Sequence, residues 1–182
     1  MKGIWRNLHR YVLWAIVSFV FWAWVISRIT DAPAGRKLLL YADVPAMDRT
    51  PLSAQLEAGL PDTIEFAEAR AFTDEMFSPG QVNAGDLFVV PEAEAERFLA
   101  SFTAIDPAAF PGQTYYESEG KVYGVCVWDE GAGIACGRKY VLYEPGERYY
   151  LFFGAQSLHL GALNGSADDA AIVAARTFLS LP

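Results

Sequence analysis

Histidine and cysteine each occur only twice among the 182 residues, and methionine three times. That scarcity excludes a good deal of chemistry. A structural zinc site takes about four Cys or His ligands, and beyond the N-terminal segment only Cys126, Cys136 and His159 could serve. No metal is expected. A nucleophilic triad would have to draw on His159, and no serine or cysteine motif surrounds it. Positive charge is also scarce. From Leu38 onward eight Lys and Arg stand against twenty-one Asp and Glu, a net of −13. A field of that sign repels phosphate backbones and anionic headgroups, so nucleic acid is not an expected partner. GAGIACG, residues 131–137, approximates a dinucleotide loop, but strand-like RKYVLY follows it where a helix is needed to hold pyrophosphate. Asp43, Asp48, Asp86, Asp106 and Asp129 could supply paired carboxylates, yet caps and turns account for most of them. Neither a cofactor nor enzymatic activity is expected.

What the chain does have is apolar and aromatic surface, 53% and 14% of its residues. Much of it lies in YVLWAIVSFVFWAWVIS, 17 uncharged residues between Arg10 and Arg28. As a helix that run spans roughly 25 Å, and Ile29 and Thr30 lengthen it towards a bilayer crossing. Tyr11 and Trp14 near one end, and Trp22 and Trp24 near the other, suit interfacial aromatic belts. Ala32-Pro33-Ala34 has the form of a cleavage site, but the apolar run is too long and Trp-rich for a signal peptide. The expectation is a retained signal-anchor helix over 11–30, with a cytoplasmic tail 1–10, a linker 31–36 and an extracytoplasmic domain 37–182. The chain would then sit in the cell membrane as a single-pass protein, touching the lipid bilayer through residues 11–30.

Downstream the pattern alternates. Lys37–Val44 (KLLLYADV) predicts a buried strand. Thr50-Pro51 offers a cap and a first helical proline, with Leu52 and Leu56 at helical spacing and Gly59 and Pro61 as a stop. Thr63–Phe72 reads as a half-exposed edge strand with Ile64 and Phe66 inward. Thr73-Asp74-Glu75 caps a short helix through Phe77. Asp86–Val90 is a third strand, and Pro91 opens a helix carrying Glu92, Glu94 and Glu96 in its first turn. Lys121–Trp128, Ile134–Glu144 and Arg148–Gly154 read as further strands. A last helix is capped at Ser166, with Ile172, Ala175 and Leu179 as its buried stripe. The predicted fold is one three-layer α/β domain with a mixed, mainly parallel sheet.

The two cysteines flank DEGAG. Taken as a five-residue hairpin loop, it sets Trp128 opposite Ile134 and Cys126 opposite Cys136, near the separation that a cross-strand disulfide tolerates. In an oxidising space the pair would form a staple. In a reducing one the two would be free thiols. The spacing is not that of a C-x-x-C redox pair.

KLLLYADVPAMD, IEFAEARAF, DLFVVPEAEAERFLASFTAID and GKVYGVCVWD, in this order, resemble the first lobe of the extracytoplasmic solute-binding proteins of ABC importers, the type 2 periplasmic-binding-protein group. Gly120, Lys121, Tyr123 and Gly124 match that group's D-G-K-x-Y-G-x-P segment, with Glu119 for its aspartate and Cys126 for its proline. RYYLFFG resembles the strand that returns from the second lobe. Here only a hairpin occupies the second lobe's place. The resemblance implies a single bacterial, membrane-anchored lobe whose half-cleft would be lined by Tyr41, Asp43, Ser78, Pro91 and Trp128. It would bind a small solute weakly or dock a membrane transport or envelope protein. The alternative is a structural or regulatory subunit of a membrane complex with no small-molecule ligand.

Overall fold

A computed structural model describes residues 2–30, 33–72, 85–161 and 169–182. The chain divides into two compact units, Met1–Pro33 and Ala34–Pro182. The first is a single helix, α1 (Lys2–Thr30), with side chains described from 10 to 26. Leu13, Trp14, Phe19, Val20 and Trp22 on this helix are each more than half exposed. Among the described residues no helix is long and apolar enough to cross a membrane. The expected membrane helix gains no support from that finding.

The second unit is α/β. Its strands are β1 (Lys37–Ala42), β2 (Ala46–Met47), β3 (Phe66–Ala71), β4 (Leu87–Pro91), β5 (Tyr115–Ser118), β6 (Lys121–Asp129), β7 (Ile134–Ala135), β8 (Val141–Leu142) and β9 (Tyr149–Phe153). Its helices are α2 (Arg49–Gly59), α3 (Glu92–Phe98) and α4 (Ala170–Ser180). The main sheet runs β3-β1-β4-β9-β6-β5, with β7 paired to β6. Only β3, β1 and β4 pair in parallel; the ladders β4/β9, β9/β6, β6/β5 and β6/β7 are antiparallel. The sheet is mixed as expected, but it is not mainly parallel, because β9 returns between β4 and β6.

Alternation along the strands builds two cores. Leu38, Leu40 and Ala42 of β1 face α2 and α4, joining Leu52, Leu56, Ile172, Ala175 and Phe178. Leu39 and Tyr41 face the other way, joining Ala95 and Phe98 of α3 and the stacked pair Phe102 and Phe152, whose rings are 4.5 Å apart. Successive strand residues point to opposite faces, so a sheet with helices on both sides needs apolar residues at every position. β4 and β9 meet that demand, with every residue from Leu87 to Val90 and from Tyr149 to Phe153 buried.

β3 is one outer strand of the sheet, and its alternation is the reverse of the expected one. Ala67 and Ala69 face the core while Phe66 is 49% exposed. That face of β3 packs against α2, where Ala67 and Ala69 join Leu52 and Leu56 in one core. The same helix also covers the edge: the Ala67 N–H donates to Glu57 Oε1 at 3.0 Å and the Ala69 N–H to Ser53 Oγ at 2.9 Å. Side chains thus occupy donors that an uncovered edge would offer to another strand.

Other expectations shift locally. α2 starts after Asp48 and not at Thr50. The β-rich run 134–144 is not one strand. Gly137, at φ +67°, turns the chain after β7, and the N–H groups of Gly137 and Lys139 donate to the carbonyls of Leu181 and Pro182. β5 and β6 form a hairpin whose turn residues Glu119 and Gly120 both have positive φ, as a tight primed turn requires. The short helix expected after Thr73 and the Ser166 cap lie outside the described residues.

Candidate functional site

One edge of the sheet gathers chemistry-bearing residues. β1, β4 and β6 end there, and β9 begins there. Asp43 follows β1, its N–H donating to the Val89 carbonyl at 2.8 Å. Pro91, the last residue of β4, and Trp128, near the end of β6, both register with Tyr149 from opposite sides. Pro91 and Trp128, expected at a half-cleft, are therefore brought together through Tyr149, a residue the motif did not single out for this role, and the Asp43 carboxylate is near enough to act on its phenol. Tyr41 is not on the open surface: it is 6% exposed and stacked on Phe88 with ring centroids 5.6 Å apart. Ser78 lies outside the described residues.

Aromatic stacking stiffens this edge. Trp128 lies parallel to Tyr143, centroids 4.9 Å apart, and Tyr143 meets Tyr149 at 5.0 Å. The Tyr143 hydroxyl donates to the Cys136 carbonyl at 2.8 Å. Burial pushes the Tyr143 phenol far up, and burial followed by the neighbouring Glu144, Asp43 and Glu147 carboxylates raises that of Tyr149. Both are neutral hydrogen-bonding groups at physiological pH.

Two pockets flank the edge. One, of about 550 Å³, is walled by Trp128, Ile134, Tyr143, Arg138 and Glu130. The other, of about 620 Å³, lies on the α3 face between Glu92, Glu96, Tyr116, Arg148 and Tyr150. Arg148 Nη2 pairs with Glu92 Oε2 at 2.5 Å, and the Glu92 N–H donates to the Arg148 carbonyl at 2.8 Å. That pair ties the start of α3 to the start of β9. Tyr116 meets Tyr150 edge-on at 5.5 Å. Burial and then the Glu92 carboxylate push the Tyr150 phenol up to about 12.

The cysteines depart from expectation. In the hairpin Trp128 pairs with Ala135 and Asp129 with Ile134, one residue out of the expected register. Cys136 consequently lies level with Val127, its N–H donating to the Val127 carbonyl at 2.9 Å. A slip of one residue sends a side chain to the other face. Cys126 is buried with Phe88 and Tyr150 on the α3 face, whereas Cys136 packs against the α2/α4 core. Both are free thiols. Burial raises Cys126 to about 11 and also raises Cys136, so neither is an activated nucleophile.

At the opposite edge sits a buried polar cluster. The Ser157 hydroxyl donates to Asp86 Oδ1 at 2.6 Å, and the Leu39 N–H donates to Asp86 Oδ2 at 2.8 Å. The His159 N–H donates to Ser157 Oγ at 3.1 Å, while its Nε2 lies 3.2 Å from the Lys37 carbonyl. This is not a catalytic triad: the serine proton goes to the carboxylate and not to the imidazole. It clamps the starts of β1 and β4 to the segment after β9. Among the described residues no group of three or more His, Cys, Asp or Glu side chains could hold a metal ion.

Comparison with known proteins finds no matching family model, no matching curated protein and no matching solved structure.

Proposed function

We propose that this chain is a binding module: a single α/β lobe, held at the outer face of a cell membrane by α1, that binds a small solute weakly at the edge carrying Asp43, Pro91 and Trp128. The observation that carries the reading is the convergence of two strand ends, those of β4 and β6, on Tyr149 beside the end of β1, at the place where open α/β sheets take their ligands. The antiparallel return of β9 between β4 and β6 supports it, since the resemblance to type 2 solute-binding lobes puts such a returning strand there. α1 supports the anchor. It exposes large apolar side chains all round, from Tyr11 to Ile26, and an apolar surface of that kind needs lipid or protein cover.

A thermal-shift screen on the full chain in detergent tests the proposal, with sugars, amino acids, peptides, polyamines and divalent cations at millimolar concentration. A ligand that binds only the folded state stabilises it by RT ln(1 + [L]/Kd), so even a weak one registers. The binding module predicts a clear rise with one class. A well-folded chain that responds to none contradicts it and leaves the edge as a docking face in a membrane complex.

A further inference from the structure

We propose that the pocket of about 550 Å³ between the β6–β7 hairpin and β8 takes a sugar ring, laid against the indole of Trp128. This rests on the binding-module reading and names the ligand class for the Trp128 flank of the same edge. Trp128 carries the argument. Its side chain is half-buried, and Tyr143 covers one face of the indole, parallel to it at 4.9 Å. Tyr143 is itself 5% exposed and held by its hydrogen bond to the Cys136 carbonyl, so the aromatic wall is in place before any ligand arrives. Trp128 Nε1 is buried and meets no acceptor among the described residues. A buried donor left without an acceptor is costly and rare. Trp128 lines the pocket, which is where an acceptor oxygen from outside the chain would come to it.

The rest of the lining selects the ligand. Arg138 and Glu130 both line the pocket, and neither forms an ion pair among the described residues. An anion would suit Arg138 and the indole N–H, but it would meet Glu130 and the net charge of −13 from Leu38 onward. A cation would suit Glu130 and be opposed by Arg138, and it would bring the indole N–H no acceptor. A neutral ring with several hydroxyls suits all three groups. Each hydroxyl both donates and accepts, so the ring can give hydrogen bonds to the carboxylate and take them from the guanidinium and the indole. The C–H face of such a ring also lies well on an aromatic face, whose charge distribution is negative. Ile134 and the 61% exposed Leu142 continue the apolar wall. The volume falls within the roughly 300–1,000 Å³ of small-ligand pockets.

The full chain, in a detergent without a sugar headgroup, would be titrated with glucose, galactose, N-acetylglucosamine and maltose, against sorbitol at equal concentration. Sorbitol carries the hydroxyls without the ring and matches any general osmolyte effect. The proposal predicts that at least one cyclic sugar raises the melting temperature saturably above sorbitol. Arg138→Gln and Glu130→Gln, both at exposed positions, should each weaken that sugar's binding about tenfold, the worth of one charge-assisted hydrogen bond. Trp128→Phe keeps an aromatic ring, removes the N–H and should weaken binding at least as much. Cyclic sugars no better than sorbitol, or an affinity unchanged in both surface variants, would overturn the proposal. If an amino acid, peptide, polyamine or divalent cation stabilises the chain while sugars do not, the sugar site falls and the binding module stands. If nothing stabilises it, both fall.

Discussion

The backbone N–H of Cys136 donates to the carbonyl of Val127 at 2.9 Å, which sets Cys136 and Cys126 on opposite faces of the β6–β7 hairpin. This one hydrogen bond decides the chemistry of the two thiols. The folded chain should carry both in reduced form by mass spectrometry, and dithiothreitol should leave its melting temperature unchanged. A drop of several degrees on reduction would show a staple.

The cover over the β3 edge gives a second prediction. Ser53→Ala with Glu57→Ala strips the acceptors from the Ala69 and Ala67 N–H groups. The double variant should lose about 1–3 kcal/mol in urea unfolding and associate more in light scattering, as an uncovered edge invites pairing. Unchanged stability and unchanged size would mean that water replaces both acceptors without loss.

How much of this was legible beforehand depended on what set each element. β1, β4 and β9 are uninterrupted apolar runs, and the sequence identifies them because full burial leaves no other composition possible. α2 is equally clear from Leu52 and Leu56. The inversion of β3 was hidden, since Phe66 is the larger apolar residue and nothing local tells that α2 packs on the face carrying Ala67 and Ala69. The hairpin register was hidden as well: DEGAG accommodates a loop of four residues or five, and the ladder alone chooses. Of the candidate site, Asp43, Pro91 and Trp128 came from the resemblance to a solute-binding lobe, and the structure puts all three at the same end of the sheet. Tyr149 and Tyr150 did not, because a tyrosine pair ahead of LFF looks like any strand entry until its neighbours are known.

Glu68 makes stability depend on pH. The hydrogen bond from Arg70, helped by Lys37, holds its carboxyl at about 2, below the ordinary 4.5. A carboxyl whose folded pKa is depressed adds stability above the unfolded value and loses it as pH falls through the folded one. The contribution should be intact above 4.5 and vanish towards pH 2. With its side chain 40% exposed, solvent screening holds that contribution to about 1 kcal/mol or less. Wild type should exceed Glu68→Gln by that margin at pH 7, with the two converging near pH 2. A constant difference across the range would contradict this.

Gly154 closes β9 where Phe102 bridges to it. A Cβ there would run into the carbonyl oxygen of Gly85, which is backbone and cannot swing aside. Gly154→Ala should therefore cost more than about 1–3 kcal/mol, the range for overpacking where side chains can adjust. Gly112→Ala is a useful contrast: its Cβ would meet nothing within 4 Å, and only its φ of +77° opposes the change. Equal losses from the two would show that backbone conformation, and not the Gly85 contact, governs both.

The functional account depends on the lobe lying outside the membrane that α1 is proposed to enter. Leu158, 70% exposed, offers a position for a label that the fold tolerates. Leu158→Cys would be placed in a full chain whose Cys126 and Cys136 are replaced by alanine. Intact cells, their outer layers opened, would be treated with a membrane-impermeant maleimide. The account predicts labelling without lysis, on a chain that stays in the membrane pellet after carbonate extraction. A chain found in the soluble fraction, or labelled only after the cells are broken, would contradict it.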